Sequence, residues 1–473
     1  MGEFTYLQNY AYTLMKLGFN IFLTGDAGTG KSYVVRKFIY DAQLDGKNIM
    51  VLAPTGIAAG NIGGVTLHNQ FNIPLGPLVG IKRVGKDDSA LENTDVLVIE
   101  EISMCRIDLF EYVSKLVLRA NSERIARGKK PIQLIVLGDF FQLPPVTTAD
   151  EKKVLDNYYG RDIGLGFAFE SVYWTLHEFK NVILLDVVRQ DNKEFIEYLN
   201  KIRLGDKTCI EDLYNRSSKV RDDSAINMCG LNRNVKAIND RGLSKIDAEL
   251  VEYQSIITYE DDIEGNEILK NSTSVEHILQ LKVGARVMTL VNDKDGVFYN
   301  GSMGEVVDLA GDYISVKLDN GWTVNIERYD WPIYKYDVDY SGTKEKLVIK
   351  QIGTVTQFPL KLAYAITIHK SQGQTFDKVN LSPYSWDCGQ LYVALSRVRS
   401  LDGLYIDCEI DPRYLVISLG VIDFYNKTVA TANQNITQEE IDRISTVVRP
   451  KSDRISEDTV KDMNKITNMF KSL

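Results

Sequence analysis

The chain has 473 residues, 44% of them hydrophobic and 25% charged, and carries a formal net charge of −9 with a pI near 5.3. That balance is a globular chain's, with room for two to four domains, and no apolar run approaches the roughly 20 residues of a membrane span. An acidic total argues against a nucleic-acid partner only weakly, because one groove can still be lined with Lys, Arg and backbone N–H groups.

An apolar strand at Asn20–Thr24 leads into GDAGTGKS (Gly25–Ser32), and a helix begins near Ser32. The pattern G-x-x-x-x-G-K-[ST] is a phosphate-binding loop. Its glycines permit torsions that aim successive N–H groups at phosphate oxygens, and the helix start adds positive potential. Gly25, Ala27, Gly28, Thr29 and Gly30 form this cradle, Lys31 is expected to reach the terminal phosphates, and the Ser32 hydroxyl to ligate Mg²⁺. The loop implies ATP binding without saying how the energy is used.

Further buried parallel strands are expected at Ile49–Ala53, Val96–Ile99, Ile132–Leu137 and Val182–Leu185, each followed by a polar or glycine-bearing loop. Open α/β sheets place their ligands at such loops. The stretch from about Phe71 to Asn93 is rich in Gly, Pro and charge and looks like a surface insertion. VLVIEEIS ends a strand in Glu100 and Glu101, as the second motif of an NTPase does, one acid for Mg²⁺ and the next for the attacking water. VLGDFFQLPP again sets an acid and an amide, Asp139 and Gln142, after a buried strand. In the second half, Ala225–Gly230, Lys378–Leu381 and Gly403–Cys408 repeat the style, so two α/β lobes are expected. Between about Leu281 and Thr354 the period switches to two, with an Asn320-Gly321 hairpin turn, which predicts a small inserted β-barrel. After Lys427 the chain turns polar, and Glu457–Phe470 could form one amphipathic helix. The five cysteines form no C-x-x-C pair and the four histidines are dispersed, as in an intracellular protein with neither a disulfide frame nor a metal cluster.

GDAGTGKS, APTGIAAGNIGGVTLHNQF, VIEEISM, GDFFQLPPV, VVRQ, LKVGARVM, NGSMGEV, AITIHKSQGQTF and YVALSRV occur in the order of a superfamily-one helicase motif set. The chain resembles the petite-integration-frequency (Pif) family, relatives of RecD and the phage Dda helicase, from about Phe4 to Asp411. The resemblance implies two RecA-like lobes with parallel sheets, at 1–185 and at 186–280 with 355–427. It also implies a wedge insertion near 71–93, a small Src-homology-type barrel at 281–354, and a polar tail at 428–473.

By the same resemblance Gln8 reads the adenine edge, Lys31, Ser32 and Gly373 belong to the nucleotide site, and Ser32 with Glu100 holds Mg²⁺. Glu101 is the catalytic glutamate, Gln142 the γ-phosphate sensor, and Arg189 and Arg397 the arginines that the second lobe offers the γ-phosphate. Arginine suits that role because its planar fork is always charged and matches spread phosphoryl charge. The family usually has Asp-Glu where this chain has Glu100-Glu101, so the extra methylene pushes the first carboxylate toward the metal. Single-stranded DNA is expected across Pro54, Thr55, Gly56, Asn61, His68, Asn69 and Phe71 of the first lobe, and across Thr367, His369, Lys370 and Ser371 of the second. Such contacts position a strand without reading its sequence.

The expected activity is therefore ATP-driven 5′-to-3′ DNA unwinding, on forks and by family analogy on RNA–DNA hybrids or G-quadruplexes, by a monomer that dimerisation on DNA could double. A cytoplasmic protein of bacterial or phage origin fits the length and the N-terminus. Two alternatives stand beside it, a RecD-like subunit of a nuclease and a nucleotide-switched DNA clamp that does not travel. A metabolic phosphotransferase would leave the second-lobe arginines unexplained.

Overall fold

The computed structural model describes residues 4–74, 76–80, 89–186, 192–259, 275–293, 297, 298, 300–339, 346–372, 374–384, 387–429 and 432. A six-stranded parallel sheet comes first, from β1 (Ile21–Gly25), β2 (Ile49–Ala53), β3 (Val65–Thr66), β4 (Val96–Ile99), β5 (Gln133–Leu137) and β6 (Lys180–Leu184), in the order β3-β2-β4-β5-β1-β6. Its inner strands β1, β2, β4 and β5 are largely apolar and buried along their length because both faces are covered, while edge strand β6 begins in exposed Lys180. Alternate residues divide between two cores: Ile21, Leu23, Val51 and Ile135 face the helices Tyr6–Leu17 and Lys31–Leu44, while Phe22, Leu52, Leu97 and Val136 face the helix Ile107–Ala126.

The second lobe is a four-stranded parallel sheet of β7 (Ile226–Cys229), β18 (Ala365–Thr367), β19 (Val379–Leu381) and β20 (Leu404–Tyr405), ordered β18-β7-β19-β20. The helices Lys193–Arg203 and Gln390–Leu395 give this lobe's core Phe195, Leu199, Ile202, Tyr392 and Leu395.

Between β7 and β18 the chain makes antiparallel structure. A five-stranded sheet joins β11 (Arg286–Thr289), β12 (Met303–Leu309), β13 (Tyr313–Leu318), β14 (Thr323–Glu327) and β17 (Leu360–Leu362). The Asn320-Gly321 turn links β13 to β14, with Gly321 at φ +91°. A long hairpin of β15 (Tyr329–Asp339) and β16 (Lys346–Gln357) is joined by β9 (Ile256–Tyr259), and β8 (Val251–Gln254) pairs with β10 (Ile278–Leu281). Sequence periodicity puts this insertion at 281–354, whereas strand pairing extends it from Val251 to Leu362. β9 finds its partner β16 far along the chain, and no local pattern records such a pairing.

Apolar side chains cross between the lobes in both directions. Leu143, in the loop after β5, is fully buried in the second lobe's core. In return the helix Leu419–Phe424, which the sequence reading leaves in the second lobe, lays Val421 and Phe424 on the first lobe's core. Phe424 stacks on Phe169 at 4.4 Å between ring centres and meets Phe140, Trp174 and Phe22 at 5.6–6.0 Å. Of the wedge region, Gly76 and Leu78 are tied to the helix Ile107–Ala126 and the residue before it, Gly76 O accepting from Arg106 and Leu78 N–H donating to Asp108. Residues 81–88 lie outside the described residues, as does the tail helix expected at Glu457–Phe470.

Candidate active site and nucleic-acid face

The cleft between the lobes opens at the C-terminal ends of β1, β4 and β5. The phosphate loop leaves β1 at Gly25 and enters its helix at Lys31, with Gly30 at φ +82°. Glycine is favoured there by its left-handed torsion, and a Cβ would also come within 2.7 Å of Gln8 Nε2 and displace that amide. Gln8 is buried, and its amide holds two bonds: Oε1 accepts from Thr5 N–H in a capping box, and Nε2 donates to Thr29 O at 3.0 Å. Gln8 thus braces the phosphate loop against the first helix.

Lys31 Nζ donates to Gly25 O and Asp26 O at 2.9 and 3.0 Å, folding back on its own loop, and burial pushes the ammonium's pKa down. Ser32 Oγ donates to Glu100 Oε1 at 2.7 Å. The other oxygen, Glu100 Oε2, is buried with no partner among the described residues. Burial, then the charge of Glu101, lifts the Glu100 carboxyl to about 7, with Ser32 and Lys31 opposing. A hydroxyl beside a buried carboxylate with an orphaned oxygen is a donor set that fits a hard cation such as Mg²⁺, whose charge would also hold Glu100 ionised.

Glu101 sits at φ +50° and ψ +49°, a left-handed conformation unusual for a side-chain-bearing residue and a form of strain that gathers at functional sites. Burial raises its pKa, while the charges of Lys31 and Arg397 lower it. Gln372, from the second lobe, donates from Nε2 to Glu101 Oε2 at 3.4 Å. Gln142 is buried in the loop after β5, and Gly389 of the second lobe approaches so closely that a Cβ there would lie 2.5 Å from Gln142 O. Arg397 is buried, donating to Val393 O, Gln374 O and Ser396 Oγ at 2.8–3.4 Å. Lys31, Ser32, Glu100, Glu101, Gln142 and Arg397 therefore converge on one cleft, while Arg189 and Gly373 lie outside the described residues.

Sequence reasoning missed two second-lobe residues here. Arg203 donates to Asp26 and Asp139 of the first lobe, and Tyr392 Oη accepts from Ala27 N–H at 3.0 Å. Arg203 ends an amphipathic helix, where a charge looks like part of a solvated face. Tyr392 lies inside YVALSRV, and that block was the one available signal.

On the face where the sequence predicts strand contacts, Thr55 Oγ1 accepts from Ala58 N–H and caps the helix Gly56–Ile62, with Pro54, Thr55 and Gly56 half-exposed at the end of β2. Asn61 lies in the last turn of that helix. The next helix, Leu67–Phe71, is capped by Thr66 and carries half-buried His68, buried Asn69, and Phe71 resting against the first lobe's core. In the second lobe Thr367 and Ser371 are buried and spend their hydroxyls on the turn, Thr367 Oγ1 accepting from Lys370 N–H and Ser371 Oγ donating to Ile368 O. That leaves half-buried His369 and exposed Lys370 as the outward groups. Burial and the charge of Lys370 bring the pKa of Lys361 on β17 to about 8, marking a second cation beside this turn that the sequence did not single out. Among the described residues no helix is long and apolar enough to cross a membrane.

A cleft between two parallel α/β lobes, with a phosphate loop and paired acids on one and arginines on the other, defines a two-lobed P-loop NTPase. Residues 5–212 match the family model described as PIF1-like helicase. The chain is 33% identical to the ATP-dependent DNA helicase Pif1 of Campylobacter jejuni over 86% of this chain and 94% of that one. Crystallised Pif1 from a Bacteroides species with ADP-AlF4 superposes with a TM-score of 0.74 at 35% identity, over 90% of this chain and 97% of that one. Bacteroides Pif1 bound to single-stranded DNA gives 0.63 at 36% identity, with the same coverages of 90% and 97%. The chain belongs to the PIF1-like helicase family, whose members are ATP-dependent DNA helicases.

Proposed function

We propose that the chain is an ATP-driven motor that moves 5′ to 3′ along single-stranded DNA and separates the strands of forked duplex ahead of it. RNA–DNA hybrids and G-quadruplexes are further substrates by family likeness, and the setting is genome maintenance in the cytoplasm of a bacterium or phage host. The observation that carries the reading is one turn, 367–372, that offers His369 and Lys370 outward and Gln372 to Glu101 in the cleft. Strand binding and hydrolysis thus share one hydrogen-bonded turn, an arrangement that suits a motor.

In this reading Lys31 leaves its loop carbonyls to bind the terminal phosphates, and Glu101 orients the attacking water and accepts its proton. Ser32 and Glu100 would hold Mg²⁺, which would supply positive charge to the triphosphate. Gln142 senses the γ-phosphate, and Arg397 with Arg189 stabilises the spread charge as the lobes close. The five-stranded antiparallel insertion acts as the Src-homology-type barrel that encloses the strand, and the region 71–93 as the wedge. A monomer suffices for translocation, and two copies can act together at a fork.

The test is ATPase and strand separation on 5′-tailed, 3′-tailed and blunt duplexes. Strong stimulation by single-stranded DNA, with unwinding of the 5′-tailed substrate alone, is expected. Equal unwinding of the 3′-tailed duplex refutes the polarity, and stimulation without strand separation makes the protein a clamp.

A further inference from the structure

Arg203 is 4% exposed, and its guanidinium lies between the lobes. It forms a fork with Asp139, Nη2 to Oδ1 at 2.9 Å and Nε to Oδ2 at 3.1 Å, and reaches Asp26 Oδ1 from Nη1 at 3.0 Å. Asp139 belongs to the loop after β5, Asp26 to the phosphate loop, and Arg203 to the second lobe's core helix Lys193–Arg203. Phe141 covers one side of the guanidinium at 4.4 Å and Tyr425 lies 5.6 Å away, both measured to the ring centre. Arg203 and Asp139 are buried and the Asp26 side chain is only 17% exposed, so the contact is not made and broken as loosely as a surface ion pair.

We infer that Arg203 is a positioning residue for ATP binding and hydrolysis, one that neutralises Asp26 and Asp139 beside the triphosphate site and so makes the phosphate loop's conformation depend on the position of the second lobe. The inference rests on the reading of this cleft as an ATP site. Without Arg203, two carboxylates would face an incoming polyanion. They would also compete for Lys31, which already donates to the Asp26 carbonyl. The Tyr392 hydroxyl on the Ala27 N–H makes a second link from the same lobe to the same loop. A second lobe that swings therefore pulls on the phosphate loop itself, apart from anything it presents to the γ-phosphate. The two arginines expected to meet the nucleotide act on phosphate; Arg203 acts on the residues that hold it.

The test compares the whole chain with Arg203→Ala, Arg203→Lys, Asp26→Asn and the double variant Arg203→Ala/Asp26→Asn. Binding of a fluorescent ATP analogue without DNA, ATPase against ATP concentration with and without single-stranded DNA, and thermal unfolding are the readouts. Arg203→Ala is expected to weaken nucleotide binding and raise KM about tenfold, the range of a substantial coupling between sites. Removing one of the unshielded carboxylates should recover about threefold of that in the double variant, a non-additivity that a purely structural role does not produce. Arg203→Lys, which keeps the charge and loses the fork, should retain nucleotide affinity but lose about half or more of the stimulation by DNA. If Arg203→Ala does not fold, Arg203→Lys and Asp26→Asn carry the test, and Asp26→Asn should bind nucleotide at least as tightly as the unaltered chain while responding less to DNA. Affinity and KM within about twofold in Arg203→Ala, or a double variant no better than Arg203→Ala, overturns the inference. An unaltered chain that binds no nucleotide overturns the ATP-site reading instead.

Discussion

Truncating Phe424 to alanine tests how firmly the end of the described chain is fastened to the first lobe. The ring stacks on Phe169 with an interplanar angle of 17°, and edge contacts to Phe140 and Trp174 lie at 5.6 and 5.9 Å. A fully buried Phe→Ala change costs about 3–5 kcal/mol, and each good aromatic pair contributes about 0.5–1.5 kcal/mol beyond its buried area. Phe424 is only half-buried, which places the expected loss at about 2–3 kcal/mol. For a lobe of this size, about 2–4 °C of Tm per kcal/mol translates that into a drop of about 4–12 °C. The assay is calorimetry together with tryptophan fluorescence, because Trp174 lies inside the same ring cluster and its emission should move with the first lobe's transition. Phe424→Leu should recover part of the loss. A Tm within about 1 °C of the unaltered chain would refute the reasoning, since the helix Leu419–Phe424 would then contribute nothing to the first lobe.

Glu101→Gln should lower turnover by about 10²–10⁴-fold, the usual worth of a positioned general base, while leaving nucleotide binding intact. Turnover near that of the unaltered chain would remove Glu101 from its assigned role. Glu100→Asp, which restores the family's usual acid, should be mild or activating in the same ATPase assay. His177 is buried against Phe110 and Phe179, within 2.9 Å of Ser114 Oγ, and burial depresses its pKa from 6.5 to about 4. The unfolded chain binds the proton more readily than the folded one, so stability is full above pH 6.5 and falls as pH drops toward 4. The total loss is about 3 kcal/mol, and His177→Gln should flatten denaturant titrations across that window. DNA binding through Lys and Arg contacts to phosphate should weaken steeply with salt despite the acidic pI, and a flat response in a fluorescence-anisotropy titration would show that stacking dominates.

What could be read from the sequence was whatever is local. β2 and β4 fall at Ile49–Ala53 and Val96–Ile99, as their apolar runs predict, because a strand buried on both faces must be apolar throughout. The phosphate loop is equally legible, since its chemistry is carried by eight consecutive residues. Strands β8 and β9 were not, because VEYQSIITY is short and mixed and is recruited by partners distant in sequence. The same reason hid Arg203, whose partners lie 177 and 64 positions away at Asp26 and Asp139. Thr367 and Ser371 illustrate a different limit: their block identifies the turn, but burial decides which of its side chains remain available to a ligand.

Leu143 of the first lobe lodged in the second lobe's core, and Phe424 lodged in the first, make a reciprocal pair of buttons across the cleft. Burying an apolar side chain of this kind is worth about 1.5–3 kcal/mol, so drawing the lobes straight apart would forfeit both at once. Rotation about the line joining them forfeits neither. In the proposed motor these two contacts favour a pivot over a straight separation, and a pivot turns a small change at the phosphates into a displacement that grows with distance from the joint. The outward turn carrying His369 and Lys370 rides on the arm that such a lever would move.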